Sequence, residues 1–255
     1  MKSEKLQYKV NFLKIVSFLL LITAFFILWK VIDNQYIAKA AGKKESKTVI
    51  NSKDNVSKVK QCLEVPLIMQ EPELARGCEV TSLAMLLQYM NIDVDKMELS
   101  KRIKYVPFID EDGQRGNMHE GFVGDMETFD NNGIGVYVEP IIDLAEKYVS
   151  SERIINLTGK SMKDLYNQID QGYPVWVINN SSFQVLSSDE FETWNTKIGE
   201  MQVTYNQHSV IITGYDDNFI YINDPLYPEA NQKINRVNFE EAWKQMGSQA
   251  MTIKK

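Results

Sequence analysis

The chain has 255 residues, 44% hydrophobic and 11% aromatic, enough to bury a full core in one domain once its N-terminal region is set aside. Its net charge of −6 conceals a division: up to Gln61 there are 12 Lys+Arg against 4 Asp+Glu, and from Cys62 onward 16 against 30. That acidic C-terminal part argues against a nucleic-acid partner, whose phosphates it would repel.

Residues 1–11, with Lys2, Lys5 and Lys9, read as a cytoplasmic N-terminus ahead of a membrane segment over residues 12–32. No charged residue falls between Ile15 and Trp29, and Lys14 and Lys30 are long enough to snorkel, so the span meets the roughly 20 residues a bilayer needs. Positive charge before the segment keeps the start of the chain inside and sends the remainder across the membrane. The segment is either a retained signal anchor or a signal peptide cut near Ala38-Lys39-Ala40. Residues 33–61 then form a basic linker, in which Lys43, Lys44, Lys47, Lys53, Lys58 and Lys60 sit among Ser and Asn. Too little of it is apolar to offset the entropy of ordering, so it is expected to be flexible. The folded domain is expected over residues 62–255.

Within that domain Val80, Leu83, Ala84, Leu87 and Met90 recur at helical spacing, and Gly77 breaks the chain before them. Cys78 therefore opens a helix, where unpaired N–H groups and the positive end of the dipole favour thiolate. The other cysteine, Cys62, precedes the domain, and a Cys62–Cys78 disulfide is the bland alternative that would remove the nucleophile. His119 lies in a loop by composition and is the weaker of the two histidines as a base. Nearby Glu120 and Asp125 read as cleft-lining or merely solvated carboxylates. Met162, Leu165 and Ile169 predict a helix over residues 161–171 with start signals at Ser161 and Asp164. Val175-Trp176-Val177-Ile178 reads as a buried strand.

Residues 179–206 show no clean period and read as an excursion over the cleft or a surface insertion. His208 lies between two runs of strand character, Met201–Tyr205 and Ser209–Thr213, and Asp224 closes the next strand, Phe219–Asn223. Neighbouring antiparallel strands of this kind bring imidazole and carboxylate together, the carboxylate orienting the ring. Phe239, Ala242, Trp243 and Met246 predict a last amphipathic helix. Two histidines without ligand-spaced partners give no grounds for a metal, and no glycine-rich phosphate loop suggests a cofactor.

Val65-Pro66-Leu67-Ile68-Met69-Gln70, Gly77-Cys78-Glu79-Val80-Thr81-Ser82-Leu83-Ala84, His208-Ser209-Val210-Ile211-Ile212-Thr213-Gly214-Tyr215-Asp216 and Tyr221-Ile222-Asn223-Asp224-Pro225 together resemble the bacteriocin-processing, double-glycine leader peptidase family. Within that family the likeness is to its stand-alone, envelope-associated branch. The resemblance implies an α+β, papain-like cysteine peptidase fold, with the nucleophile's helix packed on an antiparallel sheet. It implies Cys78 as nucleophile, His208 as base, Asp224 as the group orienting the imidazole, and Gln70 as an oxyanion-hole donor. An amide N–H and the backbone N–H of Cys78 both suit an oxygen that turns negative on thiolate attack. The function expected is an exported, membrane-tethered thiol hydrolase acting on a peptide or cell-wall peptide, without cofactor. A transferase using the same thiol, or a papain-like binding module, are the alternatives.

Overall fold

The structure, a computed structural model, describes residues 62–255. The expected N-terminus, membrane segment and linker, residues 1–11, 12–32 and 33–61, lie outside the described residues. Among the described residues no helix is long and apolar enough to cross a membrane.

The elements run α1 (Cys78–Tyr89), α2 (Lys96–Arg102), β1 (Tyr105–Val106), β2 (Phe122–Val123), α3 (Val138–Ala145), β3 (Ile154–Asn156), α4 (Met162–Asp170), β4 (Val175–Asn180), β5 (Glu192–Thr196), β6 (Gly199–Val203), β7 (Gln207–Tyr215), β8 (Phe219–Asn223), β9 (Gln232–Asn235), α5 (Arg236–Gln245) and β10 (Ala250–Ile253). Six strands form one sheet in the order β3-β10-β4-β7-β8-β9, every neighbouring pair antiparallel. The fold is α+β, as expected.

Side-chain alternation along the central strands explains the layering. Trp176 and Ile178 of β4 and Ile211 of β7 join the α1 side of the core with Val80, Leu83 and Leu87. Val175, Val177, Val210 and Ile212 point the other way, toward Leu165 and Ile169 of α4 and Phe239 and Trp243 of α5. Both faces of β4 are covered, which is why its sequence is a continuous apolar run and why Trp176 is buried. Its indole N–H donates to the Glu79 carbonyl at 3.0 Å, tying the first turn of α1 to the sheet. Helix α1 is buried from Cys78 to Leu87 because α2 and α3 cover the side that the sheet does not, adding Leu99, Val138, Ile141 and Leu144 to the same core. A helix enclosed in this way needs apolar residues around its whole circumference.

Helix α4 starts as expected: the Ser161 side chain accepts from the Asp164 N–H while Asp164 reaches back to Ser161, a capping box. The strand expected at Met201–Tyr205 is shifted. Residues 199–203 form β6, which pairs with β5 in a separate hairpin, and His208 lies at the start of β7. Residues 179–206 therefore hold a folded excursion, with Trp194 packed beside Met118, Val123, Tyr137 and Val203 in a small third core.

Candidate active site

Cys78 is the first residue of α1. Gly77 precedes it because Leu74 leaves no space for a side chain: a Cβ there would stand 2.5 Å from the Leu74 Cβ. Gly77 offers no side-chain cap, so the N–H groups of the first turn have no competing internal acceptor from that residue. Both cysteines are free thiols, so the disulfide alternative is not formed.

The partners come from the sheet. His208 is the second residue of β7, and Ile211 pairs with Asn223, so Asp224, one residue beyond β8, falls diagonally across from His208. His208 Nε2 and Asp224 Oδ1 are 2.7 Å apart, with the two residues only 3% and 6% exposed. The same Asp224 oxygen accepts the Leu226 N–H at 2.8 Å, which fixes the carboxyl independently of the ring. With Nε2 engaged, Nδ1 is the nitrogen left for other chemistry.

Gln70 is 2% exposed, and its backbone N–H donates to the Pro225 carbonyl at 2.9 Å, joining this segment to the turn after Asp224. Its side-chain Nε2 donates one hydrogen to the Ala75 carbonyl at 3.1 Å and retains a second. Lys96, at the start of α2, holds the segment from behind, donating to the carbonyls of Met69 and Gln70 at 2.5 and 2.8 Å and to Glu73 at 2.7 Å.

Gln70, Cys78, Gln207 and His208 share one cavity of about 330 Å³. Phe129, Tyr205 and Leu226, which are 69%, 57% and 47% exposed, line it from the solvent side together with Arg76. The Arg76 guanidinium stacks on Phe129 at 4.7 Å and donates to the carbonyls of Asp125 and Thr128, so it is held by the chain itself. The side chains around the opening are thus largely apolar, with one fixed cation.

The surroundings of Cys78 act against the thiolate that a helix start alone would favour. Burial pushes the thiol well above its ordinary range, the negative charge of Glu79 adds to that, and the Ser209 N–H opposes it. A helix dipole acts over only a turn and is outweighed where desolvation is complete. These surroundings favour the thiol over the thiolate. An imidazole able to take its proton is therefore required for nucleophilic chemistry.

The sequence model of the Peptidase_C39 like family matches residues 62–251. The chain belongs to that family. Among curated proteins, the C39-like chain is 42% identical over 221 residues to the uncharacterized protein YvpB of Bacillus subtilis (strain 168), covering 86% of each. Among solved structures it is 48% identical to a C39-like protein of Bacillus anthracis, with a TM-score of 0.73 over 77% of this chain and 98% of the other. The peptidase domain of Streptococcus ComA, a bifunctional ABC transporter, aligns at 15% identity with a TM-score of 0.44, over 74% of this chain and 98% of that domain.

The remaining sequence candidates fall away from the cavity. His119 pairs with the exposed Glu139 at 2.9 Å and stacks edge-on against Tyr137. Asp125 accepts from Glu127 N–H, Thr128 and Asn131 and so organises its own loop. Glu120 is exposed. No group of three or more metal-ligating side chains is assembled among the described residues. Glu79, Lys96, Gln207 and the three apolar residues of the opening were not singled out as site residues from sequence. Glu79 carried a signal, a lone acid set inside an otherwise apolar and hydroxyl-bearing helix.

Proposed function

We propose that this C39-like chain is a papain-like cysteine peptidase, with Cys78 as nucleophile, His208 as general base and acid, Asp224 as the residue orienting the imidazole, and Gln70 as an oxyanion-hole donor. The observation that carries the reading is the buried 2.7 Å His208–Asp224 pair, opening on the same cavity as the helix-initial Cys78 and Gln70. Asp224 holds the His208 tautomer with its proton on Nε2, which leaves Nδ1 to take the thiol proton. The thiolate adds to a peptide carbonyl, and the oxygen that turns negative is stabilised by the Cys78 N–H and the second hydrogen of Gln70 Nε2. His208 then protonates the leaving amine, and water activated by the same imidazole releases the acyl group. Asp224 stabilises the imidazolium that forms in between.

The substrate in this proposal is a peptide or cell-wall peptide outside the cytoplasm. What supports the location is the uncharged run from Ile15 to Trp29 behind four lysines, which suits an anchor over residues 12–32 with residues 62–255 on the far side. The purified full chain is incubated with envelope extract and the peptides are compared by mass spectrometry with those left by Cys78→Ala. New peptide termini that require Cys78 are expected; identical peptide sets would overturn the proposal.

A further inference from the structure

Behind the sulfur lies a carboxylate that the mechanism above does not use. Glu79 is 1% exposed, and its Oε1 accepts from the Val136 N–H at 3.1 Å and from Gln207 Nε2 at 2.9 Å. Gln207 is the residue immediately before His208, so this one oxygen links the first turn of the nucleophile's helix to the strand of the base. The pocket is made to fit: a Cβ on Gly135 would come within 2.5 Å of Glu79 Oε1 and 2.6 Å of Gln207 Nε2. The other oxygen, Oε2, is buried with no hydrogen-bond partner. Cys78 precedes Glu79 in the first turn of α1, and the negative charge of Glu79 disfavours ionisation of that thiol.

We propose that Glu79 is a positioning residue of the thiol site: its carboxyl bridges α1 to β7, and its charge opposes ionisation of the neighbouring sulfur. The proposal rests on the peptidase reading for its functional meaning. Two acids in contact in a dry pocket titrate as a pair, and the second ionisation is hindered by the first. Glu79 takes the charge first, and the sulfur ionises only when His208 accepts the thiol proton. The titratable groups around the thiol are Glu79 on its own helix, His208 on β7 and Asp224 after β8, while Val136, Gln207 and Trp176 present neutral groups to Glu79. Burial also raises the Glu79 carboxyl itself, as expected for such a pair.

Alkylation of Cys78 by iodoacetamide is followed against pH by intact mass, in a Cys62→Ser background so that one thiol remains. Glu79→Gln retains an acceptor oxygen and removes the charge, so the midpoint is expected to fall by about one pH unit, or ~10-fold faster alkylation below both midpoints. An unchanged or higher midpoint overturns the charge half of the proposal. Glu79→Asp keeps the charge and should stay closer to the unaltered midpoint than to that of Glu79→Gln; if Glu79→Gln does not fold, an Asp variant with a midpoint lowered by about a unit overturns it instead. Glu79→Ala removes bridge and charge together. With a thiol-directed acyl probe above both midpoints it should react ~2–10-fold more slowly than Glu79→Gln, as the loss of a neutral hydrogen bond implies, and equal rates overturn the bridging half. Alkylation reads the sulfur and not turnover, so a shifted profile in a chain that cleaves no peptide would defeat the peptidase reading alone.

Discussion

Replacing Asp224 separates its charge from its geometry. In the folded chain Asp224 Oδ1 accepts from both His208 Nε2 and the Leu226 N–H. Asp224→Asn can present its own carbonyl oxygen to the same two donors, because the Leu226 N–H selects oxygen over the amide nitrogen at that position. The ring keeps its tautomer and orientation and loses only the ionic part of the contact. A hydrogen bond to a charged group contributes about 1.5–3 kcal/mol and a neutral one about 0.5–1.5, so the imidazolium loses about 1–2 kcal/mol, or ~5–30-fold in rate. Asp224→Ala also leaves a buried imidazole N–H without an acceptor, at a further cost of about 1–3 kcal/mol, for ~30–5,000-fold in total. The assay is the second-order rate constant for a thiol-directed acyl probe at fixed pH, with thermal melts to confirm that each variant is folded. The order unaltered, Asn, Ala is expected. Equal rates for Asn and Ala would show that orientation is not supplied by this oxygen, and an Ala variant at the unaltered rate would refute the role of Asp224 altogether.

Cys78→Ala and His208→Ala should each cut peptide turnover by several orders of magnitude while melting near the unaltered temperature, whereas His119→Ala, at a residue paired with an exposed carboxylate, should change it little. On the proposed role of Gln70 as an oxyanion donor, Gln70→Ala should slow acyl transfer by ~100–1,000-fold, leaving alkylation of Cys78 by iodoacetamide within about threefold because no oxyanion forms in that reaction. Leu83 is fully buried between α1 and the sheet, so Leu83→Ala should lower the urea-unfolding free energy by about 2–5 kcal/mol. Burial raises the Glu79 carboxyl, so the folded chain holds that proton to higher pH than the unfolded chain does. The stability this confers is full below the ordinary carboxylate range and is lost as pH rises through the folded value. The melting temperature of Glu79→Gln should therefore gain on the unaltered chain as pH climbs from about 4 toward neutral; a constant or shrinking difference would contradict the sign.

What the sequence disclosed and what it withheld divide along physical lines. Helix α4 was readable because Ser161 and Asp164 make a local capping box and Leu165 and Ile169 mark its buried face. Helix α1 was readable from apolar spacing after a glycine, and the family motifs ordered Gln70, Cys78, His208 and Asp224 before any contact was known. The diagonal contact between His208 and Asp224 follows from β7–β8 pairing, which the turn at Asp216–Asn218 announces. By contrast, β10 is inserted between β3 and β4 from the far end of the chain, and no local pattern announces a pairing that distant. The β5–β6 hairpin was missed because Trp194 and Val203 are buried while most of its other residues are exposed and polar. Residue Glu79 was hidden for a related reason: its partners Val136 and Gln207 lie 57 and 128 residues away. The raised thiol was also invisible, since a helix start is local whereas the desolvation that outweighs it depends on the whole fold.

The most direct measurement is the site of covalent acyl labelling. The full chain, under reducing conditions, is treated with a thiol-directed acyl probe and the modified residue is located by tandem mass spectrometry. One adduct on Cys78, absent from Cys78→Ala and slowed at least ~100-fold in His208→Ala, is the predicted result. A chain that stays unlabelled, or that is labelled at Cys62 with Cys78 untouched, contradicts the account.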